Sequence, residues 1–194
     1  LLQNRKTNWR QLLQYSLLGI LPLATALALT LGYNWLRFGS LTEMGLTYQN
    51  GDPIFLNDLN KYGVFNLHYV PINFYYHYIF YPLPTRSDSA LGGSLFLLSP
   101  IFFAAFWGFK QIKPRSLAIA LVATIIITDI PLLLFYATGL YQFGPRYTLD
   151  FIVPLMLLTA AGIKKWPNWL VAILALAAFI QYTIGILGVL GSSM

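Results

Sequence analysis

The chain contains no cysteine among its 194 residues, which excludes disulfides, iron–sulfur clusters and thiol catalysis. Charge is scarce too. Asp, Glu, Lys and Arg make up 9% of the residues, against about 25% in an ordinary soluble domain. No Asn-x-Ser/Thr triplet occurs, so nothing points to N-linked glycosylation. A glycine-rich phosphate loop and a serine nucleophile elbow are both missing, and no cofactor is expected. His68 and His77 have no cysteine or paired acid at metal-ligand spacing. No metal is expected, and both histidines read as ordinary interfacial residues.

What the chain does have is apolar. Hydrophobic residues reach 57%, and the mean hydropathy is +0.63. A water-soluble fold of this size has too little interior to hide so much apolar surface. A bilayer solvates it directly. A spanning helix needs about 20 mostly apolar residues. Five segments approach this, at roughly 12–33, 91–109, 117–136, 147–163 and 168–190. Pro22, Pro100, Pro131 and Pro154 lie inside them, where prolines mark kinks. The expected fold is all-α, a polytopic transmembrane helix bundle of about five spans forming a single membrane domain over 1–194. Leu1-Leu2 runs straight into the basic Asn4-Arg5-Lys6. That reads as the tail of an earlier apolar segment, so the chain is expected to be the C-terminal part of a larger protein.

The net charge of +6 is distributed by topology rather than for nucleic acid, which is not expected as a partner. Arg5, Lys6 and Arg10 precede the first span; Lys110, Lys113 and Arg115 join the second to the third; Lys164 and Lys165 join the fourth to the fifth. These are eight of the twelve basic residues, with no acid among them. The positive-inside rule makes these stretches cytoplasmic. The 34–90 loop, the turn before Arg146 and the C-terminus then fall on the extracytoplasmic side, with Glu43, Asp52, Asp58, Asp88 and Asp150. The expected location is a membrane, with the N-terminus on the cytoplasmic side. Within the long loop, residues 61–81 hold nine Tyr or Phe. Rings with polar tips favour the headgroup zone, so one or two interfacial helices are expected. A loop packed on the bundle is the alternative.

Three places carry candidate chemistry. Arg37, in Tyr33-Asn34-Trp35-Leu36-Arg37-Phe38-Gly39-Ser40, is followed by Glu43 and Gly45. An arginine at a membrane surface can bind a phosphate through two donors; the alternatives are an interfacial anchor and an ion pair with Glu43. Gln142-Phe143-Gly144-Pro145-Arg146-Tyr147 is a rigid turn with Asp150 four residues beyond Arg146, one helical turn on. It reads either as a phosphate contact or as a structural Arg146–Asp150 pair. Asp129 is the one formal charge deep in a span. Its burial is costly, so it should face the bundle interior or a wet cavity, as a proton acceptor, an arginine partner or a kink satisfier beside Pro131.

The first motif with Glu43-Met44-Gly45, and the second with Tyr147, Asp150 and Pro154, resemble bacterial polytopic glycosyltransferases of the GT-C class. That group includes relatives of protein O-mannosyltransferases and aminoarabinose transferases. The resemblance covers most of the chain as an ordered layout of span, long outer loop and further spans. It implies a sugar donor linked to a polyprenyl phosphate, a glycan, lipid or protein acceptor, and transfer on the extracytoplasmic side. It assigns Arg37, Glu43, Arg146, Tyr147 and Asp150 to lipid-phosphate and substrate binding. The family's catalytic acid normally lies in an outer loop upstream of this segment, so the catalytic residue is unknown here. The resemblance also implies a bacterial plasma (inner) membrane as the location, and membrane lipids are the remaining expected partners. A transporter or flippase, and a non-catalytic membrane scaffold, are the rival readings.

Overall fold

The computed structural model describes residues 8–48, 53–139 and 142–192. Arg5, Lys6 and Asp52 lie outside the described residues. Among the described residues the architecture is all-α, with no strand beyond an isolated bridge between Phe65 and Phe135. Eight α-helices follow in order: α1 (Trp9–Phe38), α2 (Pro53–Tyr62), α3 (Val70–Phe74), α4 (Leu95–Leu98), α5 (Ala104–Gln111), α6 (Arg115–Leu134), α7 (Ile152–Gly162) and α8 (Asn168–Ser192). The chain divides into two compact units, one up to Lys61 and one from Tyr62 onward.

Among the described residues, four helical stretches are long and apolar enough to cross a bilayer: Trp9–Phe38, Arg115–Leu134, Arg146–Lys165 and Asn168–Val189. They coincide with four of the five expected spans and are compatible with an integral membrane protein. The fifth stretch, 91–109, is not one continuous helix. It comprises α4, a 3-10 turn over Pro100–Phe103 and α5. Pro100 is the physical reason, because a proline drives the residue before it out of the helical region. Ser99 accordingly sits at φ −131° and ψ 73°.

In the first unit, α1 is apolar around its whole circumference, and its most apolar stretch buries no residue within the structure. Leu17, Leu21, Leu27 and Leu29 are all exposed. Only an apolar environment stabilises such a surface. Gly39 ends the helix at φ 66°, its N–H donating to the Trp35 carbonyl at 2.9 Å.

In the second unit, α5 and α7 pack closest. Ala104 and Gly108 on one helix meet Leu158 and Gly162 on the other, residues four apart on one face. A Cβ at Gly108 would overlap the Leu158 carbonyl, and one at Gly162 the Ala104 carbonyl. Lipid tails are as apolar as leucine, so close backbone approach and dispersion hold such helices together. Leu95, Ala105, Phe151, Leu155 and Leu158 form the core beside this crossing, flanked by Leu121, Val122 and Ile125 of α6. The aromatic stretch folds as α3 continued by a π-helical turn over Tyr75–Ile79. Tyr69, Asn73, His77 and Phe80 are buried, whereas Ile72, Tyr75 and Ile79 are exposed. One face of the stretch therefore packs on the bundle, and the other is aromatic and apolar.

The α5–α7 crossing predicts opposite outcomes at two kinds of glycine. Gly108→Ala or Gly162→Ala should lower the thermal midpoint in detergent, at a cost of about 1–3 kcal/mol. Gly19→Ala on α1, where nothing lies within 4 Å of the new methyl, should leave it unchanged or raise it. A neutral result at both Gly108 and Gly162 would contradict the crossing.

Candidate functional site

Each motif proves to be a built local structure. In the first unit, Asn34 is buried and its amide donates to the Leu41 carbonyl at 3.2 Å. Glu43 Oε1 accepts from the Gly45 N–H at 2.6 Å. Gly45 needs its positive φ of 81°, and a Cβ there would lie 2.9 Å from the Phe38 ring. Phe38 in turn stacks on Tyr48 at 5.5 Å. Arg37, exposed in the last turn of α1, lies over the Phe38 ring at 4.9 Å and donates to the Tyr33 hydroxyl at 3.4 Å. Its positive charge sits at a helix C-terminus, where the helix dipole favours it.

In the second unit, Gln142 fastens the turn before Arg146. Its backbone N–H donates to the Ala90 carbonyl at 3.2 Å, and its amide donates to Leu91 and Thr138 carbonyls at 3.3 and 3.1 Å. Phe143 meets Tyr182 of α8 edge-on at 5.8 Å. Gly144, at φ 84°, passes so near α8 that a Cβ would lie 2.9 Å from the Tyr182 ring. Thr148 closes the turn by donating to the Pro145 carbonyl at 2.7 Å.

This turn walls a cavity of about 490 Å³. Its other walls come from Leu95, Ser99 and Phe102, from Ile152 at the start of α7, and from Tyr182 and Ile186 of α8. Tyr182 is hydrogen-bonded to Ser99. The lining is mostly apolar, and Arg146 is its one charged residue. Arg146 is exposed, with its guanidinium 5.4 Å from the centre of the Tyr147 ring. Tyr147 itself packs edge-on against His77 at 6.2 Å and Phe135 at 5.8 Å.

Of the two readings of this turn, the Arg146–Asp150 pair one α-helical turn apart does not form; Asp150 is exposed. Residues Arg146–Phe151 adopt a 3-10 helix. With about three residues per turn, it aligns i with i+3, so positions four apart diverge. Arg146 is thereby left available to the cavity.

Asp129 is half-buried on α6 and hydrogen-bonded to Tyr78. Its Oδ1 is buried without a partner. Burial, then the Asp129 carboxyl, pushes the Tyr78 phenol far above its ordinary range. Asn73 is fully buried, and its amide donates to the carbonyls of Leu132, Leu133 and Phe135 at 3.3, 2.9 and 2.7 Å. His77 is buried completely, so the interfacial reading of this histidine is corrected. The π-helical turn points it inward, and neither ring nitrogen has a partner of hydrogen-bond geometry. From the sequence, Asn73 and Tyr78 carry no marked role and His77 reads only as interfacial. The signal that marks Asn73 and His77 is the four-residue spacing of Tyr69, Asn73 and His77, which puts polar side chains on one helical face. Among the described residues, no group of three or more His, Asp or Glu could hold a metal ion.

No family model, no curated protein and no solved structure matches this chain.

Burial holds the pKa of His77 below its ordinary 6.5, opposed in part by the Thr138 backbone. The folded chain therefore keeps His77 neutral where the unfolded chain protonates it. Stability from this group is complete above about pH 6.5 and declines as the pH falls below that value. Thermal midpoints in detergent from about pH 8 to about pH 5 should decline on the acid side, and His77→Gln should flatten that decline. Equal acid slopes in both proteins would contradict the assignment.

Proposed function

We propose that this chain is the C-terminal membrane part of a GT-C-type glycosyltransferase. It takes a sugar from a polyprenyl-phosphate donor and passes it to a glycan, lipid or protein acceptor on the extracytoplasmic side. The observation that carries this reading is the cavity beside Arg146, with apolar walls and one guanidinium at its edge. A lipid phosphate needs that combination: a surface for the chain and two parallel donors for the phosphate. A cation there also stabilises the negative charge left on the phosphate as the glycosidic bond breaks. Arg37 and Glu43 offer related chemistry on their own helix end, and Tyr147 supports the Arg146 side chain.

In this reading the interrupted 91–109 stretch is the fifth span. A broken helix is tolerated at membrane depth where protein covers its freed backbone groups. Ser94 supports this by donating to the Tyr78 carbonyl at 2.6 Å and accepting from the Leu97 N–H at 3.2 Å. The basic turns 110–115 and 163–167 face the cytoplasm, and the exposed aromatic face of 72–79 rests in the outer headgroup zone. The catalytic acid remains unassigned and is expected outside this segment. A transporter is the second reading, favoured by the Asp129–Tyr78 pair in a span.

Donor turnover by the full-length protein tests the proposal. Arg146→Lys keeps the charge but loses the planar pair of donors. It should reduce kcat/KM about tenfold or more, near 1.4 kcal/mol of transition-state stabilisation. Arg37→Lys is the companion test. Wild-type turnover with Arg146→Lys, at matched folding, would sink the phosphate contact. Donor binding without any sugar transfer would favour the transporter.

A further inference from the structure

A second cleft, of about 570 Å³, opens between the α5–α6 turn, the first turns of α6 and the C-terminal end of α7. Leu117 and Leu121 of α6 face Leu157 and Ala161 of α7 across it, and Lys113 and Lys164 stand at its edge. The neighbouring polar groups are already engaged. The Gln111 amide donates to the Gly162 carbonyl at 3.4 Å. The Arg115 guanidinium donates to the Phe109 carbonyl and lies over the Phe109 ring at 3.8 Å. The two lysines are different. Both are exposed, and neither has a hydrogen-bond or ion-pair partner among the described residues. No Asp or Glu occurs between Asp88 and Asp129, nor after Asp150. Two unneutralised cations thus border an apolar trough.

We propose that this cleft binds an anionic phospholipid of the surrounding bilayer. Its phosphate sits between the Lys113 and Lys164 ammonium groups, and one acyl chain lies along Leu117, Leu121 and Leu157. Lysine suits this task because a compact ammonium acts as a point charge toward a mobile headgroup. A free phosphate would leave the apolar walls of Leu117, Leu121 and Leu157 uncovered. The bound lipid links the α5–α6 turn to the end of α7, next to the close α5–α7 crossing. The site is separate from the cavity at Arg146, which has different wall residues.

The inference rests on the membrane reading, and the test separates the two. The full-length chain is delipidated in a non-ionic detergent and titrated with phosphatidylglycerol, phosphatidylcholine or inorganic phosphate. Bound lipid is followed by native mass spectrometry and by thermal midpoint. Phosphatidylglycerol should bind and raise the midpoint, while the other two should not. Lys113→Gln with Lys164→Gln should weaken binding about tenfold. Lys110→Gln with Lys165→Gln should change it less than about twofold. If the double variant fails to fold, each single change should weaken binding about threefold. Equal binding of phosphatidylcholine, equal stabilisation by phosphate, or unchanged binding in the lysine variants would overturn the proposal. A chain that stays monodisperse without detergent would overturn the membrane reading as well.

Discussion

The amide of Asn73 on the last carbonyls of α6 is the contact from which the second unit is organised. A helix leaves its final carbonyls without intrahelical donors. Pro131, inside α6, brings no N–H of its own to the ladder. In apolar surroundings each unmade hydrogen bond is costly. One side-chain amide serves Leu132, Leu133 and Phe135 together. Two backbone bonds flank it, from Asn66 to the Leu134 carbonyl at 2.9 Å and from Tyr136 to the Val64 carbonyl at 3.0 Å. Between them they fasten the aromatic stretch to α6. Tyr78 then meets Asp129, and His77 turns inward toward Tyr147.

The sequence is most legible where one force dominates. Long apolar runs mark α1, α6 and α8, and they are long and apolar enough to cross a bilayer. Three features escape that logic. Pro100 was legible as a kink, but its interruption of 91–109 depends on α8, Phe80 and Tyr78 taking up the freed polar groups. Evidence of that is the Gln181 amide donating to the Leu98 carbonyl at 3.5 Å and the Ser94 N–H donating to the Phe80 carbonyl at 2.7 Å. An Arg146–Asp150 pair, one of the two readings of this turn, presumes α-helical geometry, and the turn set by Gly144 and Pro145 winds as a 3-10 helix instead. His77 resembled its neighbours in composition, and only the packing of one helical face distinguishes it from His68, which is exposed.

The candidate site follows the same division. Arg37 and Arg146 were visible as cations at the ends of apolar segments. What surrounds them was not. Around Arg37 the motif residues build a helix stop: Asn34, Gly39, Glu43 and Gly45 each hold backbone in place. Around Arg146 the motif residues Gln142, Phe143 and Gly144 press the turn against α8 and leave an apolar cavity beside the guanidinium. That difference is why Arg146 carries the functional proposal more directly than Arg37. The second unit also separates its chemistry by position, with Arg146 at one end of α7 and the lysine cleft at the other.

The proposed membrane reading puts the Arg146 cavity and the segment around Asn73 on one side of the bilayer and the lysine-rich turns on the other. A chain without cysteine allows that claim to be read one residue at a time. Ser87→Cys and Lys113→Cys, each introduced alone into the full-length protein, are exposed in intact cells to a thiol reagent that cannot cross the membrane. The account predicts labelling at position 87 from outside, and labelling at position 113 only after permeabilisation. Labelling of Lys113→Cys but not Ser87→Cys from outside would contradict it.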